Sequence, residues 1–307
     1  MYGSFFIMFA ALLWSLDTLL RKPLTDHLMS STIVFYEHLF GFILLLPFLI
    51  RSARKFLQLS RREWFSVLFI AVGGSALATY FFTASFQFVS PSVSILLQKV
   101  QPIIAIVMAS MLLKEKMAKS FWVWALVSLI GGYFISFPNG IHDLTVHQAK
   151  GIFFALIAAF LWGGSTVMGR HLIRKLTFPT VTALRISVAL VFLAFFVTAQ
   201  RTLGELAKIS GRDVLSLVLI TLFTGTGALL IYYYGLKSTK ASVATIAELF
   251  FPLSAVVVNW IFLHETLVTM QILGGVILLL GMYMVQKTGR RPVKDTPQAH
   301  EPSPVSH

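Results

Sequence analysis

The sequence predicts an all-α integral membrane protein with ten transmembrane helices, arranged as two inverted five-helix repeats. Three observations carry that prediction. The chain is 57% hydrophobic and 12% charged, with a mean hydropathy of +0.81. A soluble domain carries roughly 25% charge, and a soluble reading would need a larger core than 307 residues can enclose. Ten apolar segments each have about the 17–25 residues needed to cross a hydrocarbon core. Finally, landmarks recur half a chain apart. Trp14 returns as Trp162, Glu37 as Arg185, Pro102 as Pro252, Glu115 as Glu265, and Gly131-x-Tyr133 as Gly281-x-Tyr283.

The first repeat is expected over residues 3–137, with helices at 3–20, 32–50, 64–87, 93–113 and 119–137. The second is expected over 149–286, with helices at 149–169, 179–199, 212–236, 242–262 and 268–286. A polar, turn-forming linker from Pro138-Asn139-Gly140 to Lys150 joins them. The end of the chain, 287–307, is rich in Pro, Ser, His and charge and reads as a disordered cytoplasmic tail. The first apolar stretch is too long for a signal peptide and lacks a small-residue cleavage site, so it reads as a retained helix.

Five helices per repeat is an odd number, so the second copy enters the membrane from the opposite side. With the amino terminus inside, 17 of the 25 Lys and Arg fall in inner segments and six in outer ones. Lys99 and Arg185 lie within helices. This asymmetry places both termini in the cytoplasm of a cell with an inner membrane. The formal charge of +13 is therefore mainly a topology signal, because the basic residues sit between apolar segments rather than in a nucleic-acid-binding patch. No cysteine is present, which excludes disulfides, thiolate metal sites and Fe–S clusters. His142 and His147 lack carboxylate support for a metal. No P-loop, Ser-His-Asp arrangement or catalytic carboxylate pair occurs, and no cofactor is expected.

Five ionisable residues fall inside apolar segments: Asp17, Glu37, Lys99, Arg185 and Glu248. Each costs about 2.5–3.5 kcal/mol at a helix centre on insertion scales, so such residues face a cavity or a partner. Glu37 and Lys99 lie five to six residues in from the outer side. Arg185 and Glu248 lie equally far in from the inner side. At 1.5 Å per residue the depth is about 8–9 Å in each case. The expectation is one ion pair above the midplane, Glu37 with Lys99, and one below, Arg185 with Glu248. In the repeat, Gln98 aligns with Glu248, which adds Gln98 to the group. These residues either line a path or form static pairs that fix packing. Asp17 has Arg21 one turn later and reads mainly as a local pair.

Pro102 and Pro252 fall inside the fourth and ninth helices, where proline removes a backbone hydrogen bond and kinks the helix. The kink either builds a polar site or only shapes packing. Trp14, Trp162, Tyr80 and Tyr232 are candidate stacking or cation–π partners for an organic substrate, although with 28 Phe most rings face lipid or other helices. Gly73-Gly74, Gly131-Gly132, Gly163-Gly164 and Gly225-x-Gly227 read as close-packing sites.

The run Pro252-Leu-Ser-Ala255 through Glu265, then Gln271 to Gly275 and Leu280-Gly-Met282, resembles the EamA family of the drug/metabolite transporter superfamily. Gln101-Pro102 through Glu115 to Gly132 is its echo in the first half. Trp14, Trp162 and Arg185 fit the same pattern, and the resemblance covers about residues 3–286. Glu37 and Lys99 depart from the family's usual charges. Membership implies ten helices in two EamA repeats and an inner-membrane carrier, commonly an exporter of amino acids, metabolites or drugs. Glu115 and Glu265 match the family motif and read as capping or loop-anchoring residues.

The leading expectation is a secondary transporter, exporter or exchanger, working by alternating access on a small metabolite such as an amino acid or an amphipathic compound. A proton gradient is an expected drive, with Glu37 or Glu248 as the proton-sensitive group. The alternatives are a multidrug exporter of the same family, a membrane-embedded enzyme acting on lipid (hinted at only by His38 beside Glu37), and a channel, for which the polar lining is too sparse.

Overall fold

The structure is a computed structural model. It describes residues 2–89, 94, 97–115, 117–136, 149–201, 203–263 and 268–288. The linker 138–148 with His142 and His147, Glu265, the tail from 289 on, and the Lys99 side chain lie outside the described residues.

All described regular structure is helical. In the first half the helices are α1 (Tyr2–Ser15), α2 (Asp17–Thr25), α3 (Ser30–Phe56), α4 (Arg61–Leu68), α5 (Ala78–Ser85), α6 (Gln101–Leu112) and α7 (Lys119–Ser136). In the second half they are α8 (Ala149–Leu172), α9 (Phe178–Ala199), the short α10 (Leu203–Leu206), α11 (Gly211–Leu219), α12 (Thr226–Leu236), α13 (Ala241–Ala247), α14 (Phe250–Leu263) and α15 (Thr269–Thr288). Among the described residues, six helical runs are long and apolar enough to cross a membrane: Tyr2–Thr25, Ser30–Phe56, Arg61–Ser85, Ala149–Leu172, Phe178–Ala199 and Gly211–Leu236. Among the described residues helix occurs in each expected segment, but only those six runs have the length and apolarity of a span. The first helix, which the sequence ends at residue 20, breaks at Leu16 and continues to Thr25, and the second, expected to end at 50, continues to Phe56.

The two halves use the same local devices. Ser60 caps α4 in a capping box with Glu63, and Ser210 caps α11 in a capping box with Asp213. Each box satisfies helix N-terminal donors that would otherwise be bare. After each short helix the backbone loosens into π-helix, at Phe69–Leu77 in the first half and Ile220–Thr224 in the second. Such π turns widen the backbone and recur at functional sites.

Packing between helices is symmetric under exchange of the halves. α3 packs on its counterpart α9 and α7 on its counterpart α15, while α6 packs on α13. Where α1 meets α12, its counterpart α8 meets α5. Where α1 meets α14, α8 meets α6. The α7–α15 contact brings two backbones together. A Cβ on Gly131 would lie 2.4 Å from the Leu278 backbone nitrogen, and one on Gly281 would lie 2.8 Å from the backbone nitrogen of Ser128. Glycine there lets the two backbones touch, as the small-residue pattern predicts.

The prolines do something other than the expected kink. Pro102 is the second residue of α6, directly after a 3₁₀ turn at Gln98–Val100. Pro252 is the third residue of α14, after the chain leaves α13 at Glu248 and turns through Leu249. Both sit in the first turn of a new helix, where the missing N–H has no intrahelical partner to lose. The helices are interrupted, and the prolines start their second parts.

Gly131→Val would push a branched side chain into the α15 backbone, so it should destabilise by about 1–3 kcal/mol. Thermal unfolding in detergent should show a lowered midpoint. Gly132→Val is the control, because a Cβ at Gly132 would meet only the tip of Leu249, 4.0 Å away.

Candidate functional site

The interruptions converge. Asp17 after the α1 break, Gly74 and Ser75 in the first π segment, Thr224 to Thr226 at the second, Gln98, Gln101 and Pro102, and Glu248 with Leu249 all line one cavity. Trp14, Trp162, Phe82, Tyr232 and Phe251 supply aromatic walls. The cavity holds about 1260 Å³, its open mouth included. Interrupted helices present free backbone groups and polar side chains at membrane depth, which is tolerated only where a cavity or protein covers them.

The acidic side of the cavity is built around Arg21. Its guanidinium donates from Nε and Nη2 to Asp17 and from Nη2 to Glu37 Oε2 at 2.9 Å. Arg21 is 4% exposed and Glu37 8%. Thr224 donates to Asp17 Oδ1 at 2.7 Å. Gly225 makes the geometry possible, because a Cβ there would lie 2.7 Å from Glu37 Oε1. This corrects the reading of Gly225 as a packing glycine: it admits a carboxylate.

Arg185 from α9 lies on another wall. It donates from Nε to Ser75 Oγ and from Nη1 to the Tyr233 hydroxyl at 2.9 Å. The expected Arg185–Glu248 pair is not formed. Glu248 accepts instead from Gln101 Nε2 at 2.7 Å and the Tyr232 hydroxyl at 2.8 Å, with Thr166 at 3.4 Å. Glu37 finds Arg21 as its cation. Depth along a helix says nothing about which way each side chain turns, so it did not give the partners of Arg185 and Glu248, and the Lys99 side chain expected beside Glu37 lies outside the described residues.

Of the residues singled out in the sequence, Trp14, Asp17, Glu37, Gln98, Pro102, Trp162, Arg185, Tyr232 and Glu248 all line the cavity. Trp14 packs on Tyr232 with ring centroids 5.4 Å apart, and Trp162 on Phe82 at 5.1 Å. Tyr80 and Pro252 are not among the lining residues. The Tyr80 ring lies edge-on to Phe196, and its hydroxyl accepts from Gln200. The Asp17–Arg21 pair was expected and is formed, but Arg21's second bond, to Glu37, was missed, as were Gln101, Thr166 and Ser75. That second bond was hidden by ending the first helix too early. The neutral residues carry no signal in a single sequence, although Gln101 adjoins Pro102.

Glu115, from the family motif, accepts from the backbone N–H groups of Ala241 and Ser242 and from the Ser242 hydroxyl. It caps α13 and so fixes the helix whose end presents Glu248. Among the described residues, no group of three or more His, Asp or Glu is placed to hold a metal.

Removing Arg21 alone would leave the buried Glu37 and the half-buried Asp17 carboxylates uncompensated, and breaking a buried pair typically costs about 3–5 kcal/mol. Arg21→Gln should therefore unfold at a markedly lower temperature. Adding Asp17→Asn and Glu37→Gln should recover most of that loss. Calorimetry of the purified variants reads both effects.

Comparison with known proteins places the chain. The sequence model described as "EamA-like transporter family" matches it twice, over residues 1–137 and 149–286. The riboflavin transporter ImpX of Fusobacterium nucleatum is 30% identical over 295 residues, spanning 93% of this chain and 97% of that protein. The inner membrane transporter YhbE of Escherichia coli K12 is 26% identical over 234 residues, 74% of this chain and 71% of that one. A solved crystal structure at 15% identity has the same fold, with a TM-score of 0.76 over 94% of this chain and 98% of its own. Together with the long apolar helices, these matches make the chain a multi-pass membrane transporter, and it belongs to the EamA-like transporter family.

Proposed function

We propose that the chain is a secondary transporter that moves a small organic solute by alternating access, and that the solute is a flavin such as riboflavin. The observation that carries the mechanism is the single cavity at which the interruptions of both halves meet. In this reading residues 3–137 and 149–286 are inverted repeats of five helices each. Their symmetric packing and matched capping boxes support it, as does the family match that falls once on each half. Rocking one set of helices against the other would open the cavity to either side. The proposed setting is the inner membrane with both termini and the 287–307 tail in the cytoplasm, supported by the Lys and Arg asymmetry.

The flavin reading rests on the ImpX relative, which aligns along nearly its whole length, and on the chemistry of the walls. Trp14 and Trp162 sit on elements from different halves, each backed by another ring. A flat heterocycle stacks on such faces. The carboxylates and guanidinium groups between them suit its polar edge and side chain. A gradient of the solute or of protons is the drive, because the sequence carries no nucleotide-binding motif.

Purified protein in liposomes should exchange labelled riboflavin against unlabelled riboflavin inside. Glu248→Gln and Arg185→Gln, at unchanged protein level, should lower that exchange at least about tenfold, the scale of a lost hydrogen bond to a charged group. Absence of riboflavin exchange by the unaltered chain would refute the flavin assignment. Full exchange by both variants would refute the role of the cavity.

A further inference from the structure

Buried polar atoms in folded proteins are almost always partnered, so each exception needs a cause. Seven side-chain atoms are buried without a hydrogen-bond partner among the described residues, and four of them belong to residues lining the cavity: Arg21 Nη1, Gln98 Oε1, Ser165 Oγ and Thr245 Oγ1. Arg21, Ser165 and Thr245 are 4%, 3% and 0% exposed. Ser165 and Thr245 are also unusual for helical residues in this chain. Thr182, Ser187 and Thr221 each donate to the carbonyl four residues back. That local bond is the easy way to satisfy a hydroxyl in a helix. Ser165 and Thr245 forgo it, on α8 and α13, at the wall of one cavity.

We propose that Arg21, Gln98, Ser165 and Thr245 are the hydrogen-bonding contacts of the transported solute. This rests on the transporter reading above and adds which atoms recognise the substrate. Their chemistry defines its class. Arg21 Nη1 only donates, so it takes a carbonyl oxygen or ring nitrogen. Its charge is already met by Asp17 and Glu37, so the acceptor it suits is neutral rather than anionic. Gln98 Oε1 only accepts, so it takes an N–H or O–H. The two hydroxyls do either. The solute is therefore a neutral polar compound that carries acceptors and donors together, as a flavin does. Asp17 and Glu37 are positioning residues here, since they hold two sides of the Arg21 fork and leave the third free.

The two hydroxyls allow a clean test, because removing an atom with no protein partner breaks no bond in the free protein. Riboflavin is the probe, with binding to the full chain in detergent measured by titration calorimetry. Ser165→Ala and Thr245→Ala should each weaken binding about 2- to 10-fold, the range of one hydrogen bond. The melting temperature without ligand should stay the same or rise. Thr83→Ala is the control, because Thr83 is equally buried and unpartnered but is not among the lining residues. It should leave affinity unchanged. Unaltered affinity in both Ser165→Ala and Thr245→Ala would overturn the assignment while leaving the flavin reading intact. An equal loss in Thr83→Ala would overturn it too. Failure of the unaltered chain to bind riboflavin would overturn the flavin reading and this assignment with it.

Discussion

Arg21 held between Asp17 and Glu37 is the interaction on which the site depends. Two carboxylates at membrane depth are costly unless a cation lies beside them. Here one guanidinium serves both, and it joins the second part of the first interrupted helix to α3. Thr224 and Gly225 close the arrangement from the opposite half, one by donating a hydrogen bond and the other by lacking a side chain. The charges therefore bind three elements into one wall, and the shape of the cavity follows from them.

A second constraint is that helices stop where the solute would sit. A continuous helix satisfies its own backbone and offers nothing to a ligand. Breaks at Leu16, Gly225 and Glu248, and the loosened backbone at Gly74 and Ser75, turn polar groups into the cavity instead. Capping by Glu115 at the start of α13 and proline in the first turns of α6 and α14 keep the interrupted elements helical on either side. The apolar exteriors and tight glycine contacts such as α7 on α15 form the frame.

Much of this frame was legible in the sequence, because hydrophobic length and charge exclusion are strong signals in a bilayer. The same logic identified Asp17, Glu37, Arg185 and Glu248, since charge inside an apolar run has to face something. Arg21 beside Asp17 was legible one turn along the helix, but the partners of Glu37, Arg185 and Glu248 were not. Residue spacing gives depth, whereas pairing depends on helix rotation and on breaks that shift the register. The break at Leu16 carried Arg21 into the site, so Glu37 found a partner that counting had left in a loop. Tyr80 shows the opposite error. It has the same chemistry as Tyr232 and sits on a matched element, yet it turns toward Phe196. Ser165 and Thr245 could not be found from composition, because their significance lies in a bond they do not make.

The central claim is that this cavity is the path through the membrane. The chain has no cysteine, so a single Leu229→Cys on the cavity wall can be read without background. A membrane-impermeant thiol reagent applied to one side of the bilayer, and then in a separate sample to the other, measures access directly. The account predicts labelling from both sides and protection by riboflavin on each. Labelling from one side only, or labelling that riboflavin does not slow, would contradict it.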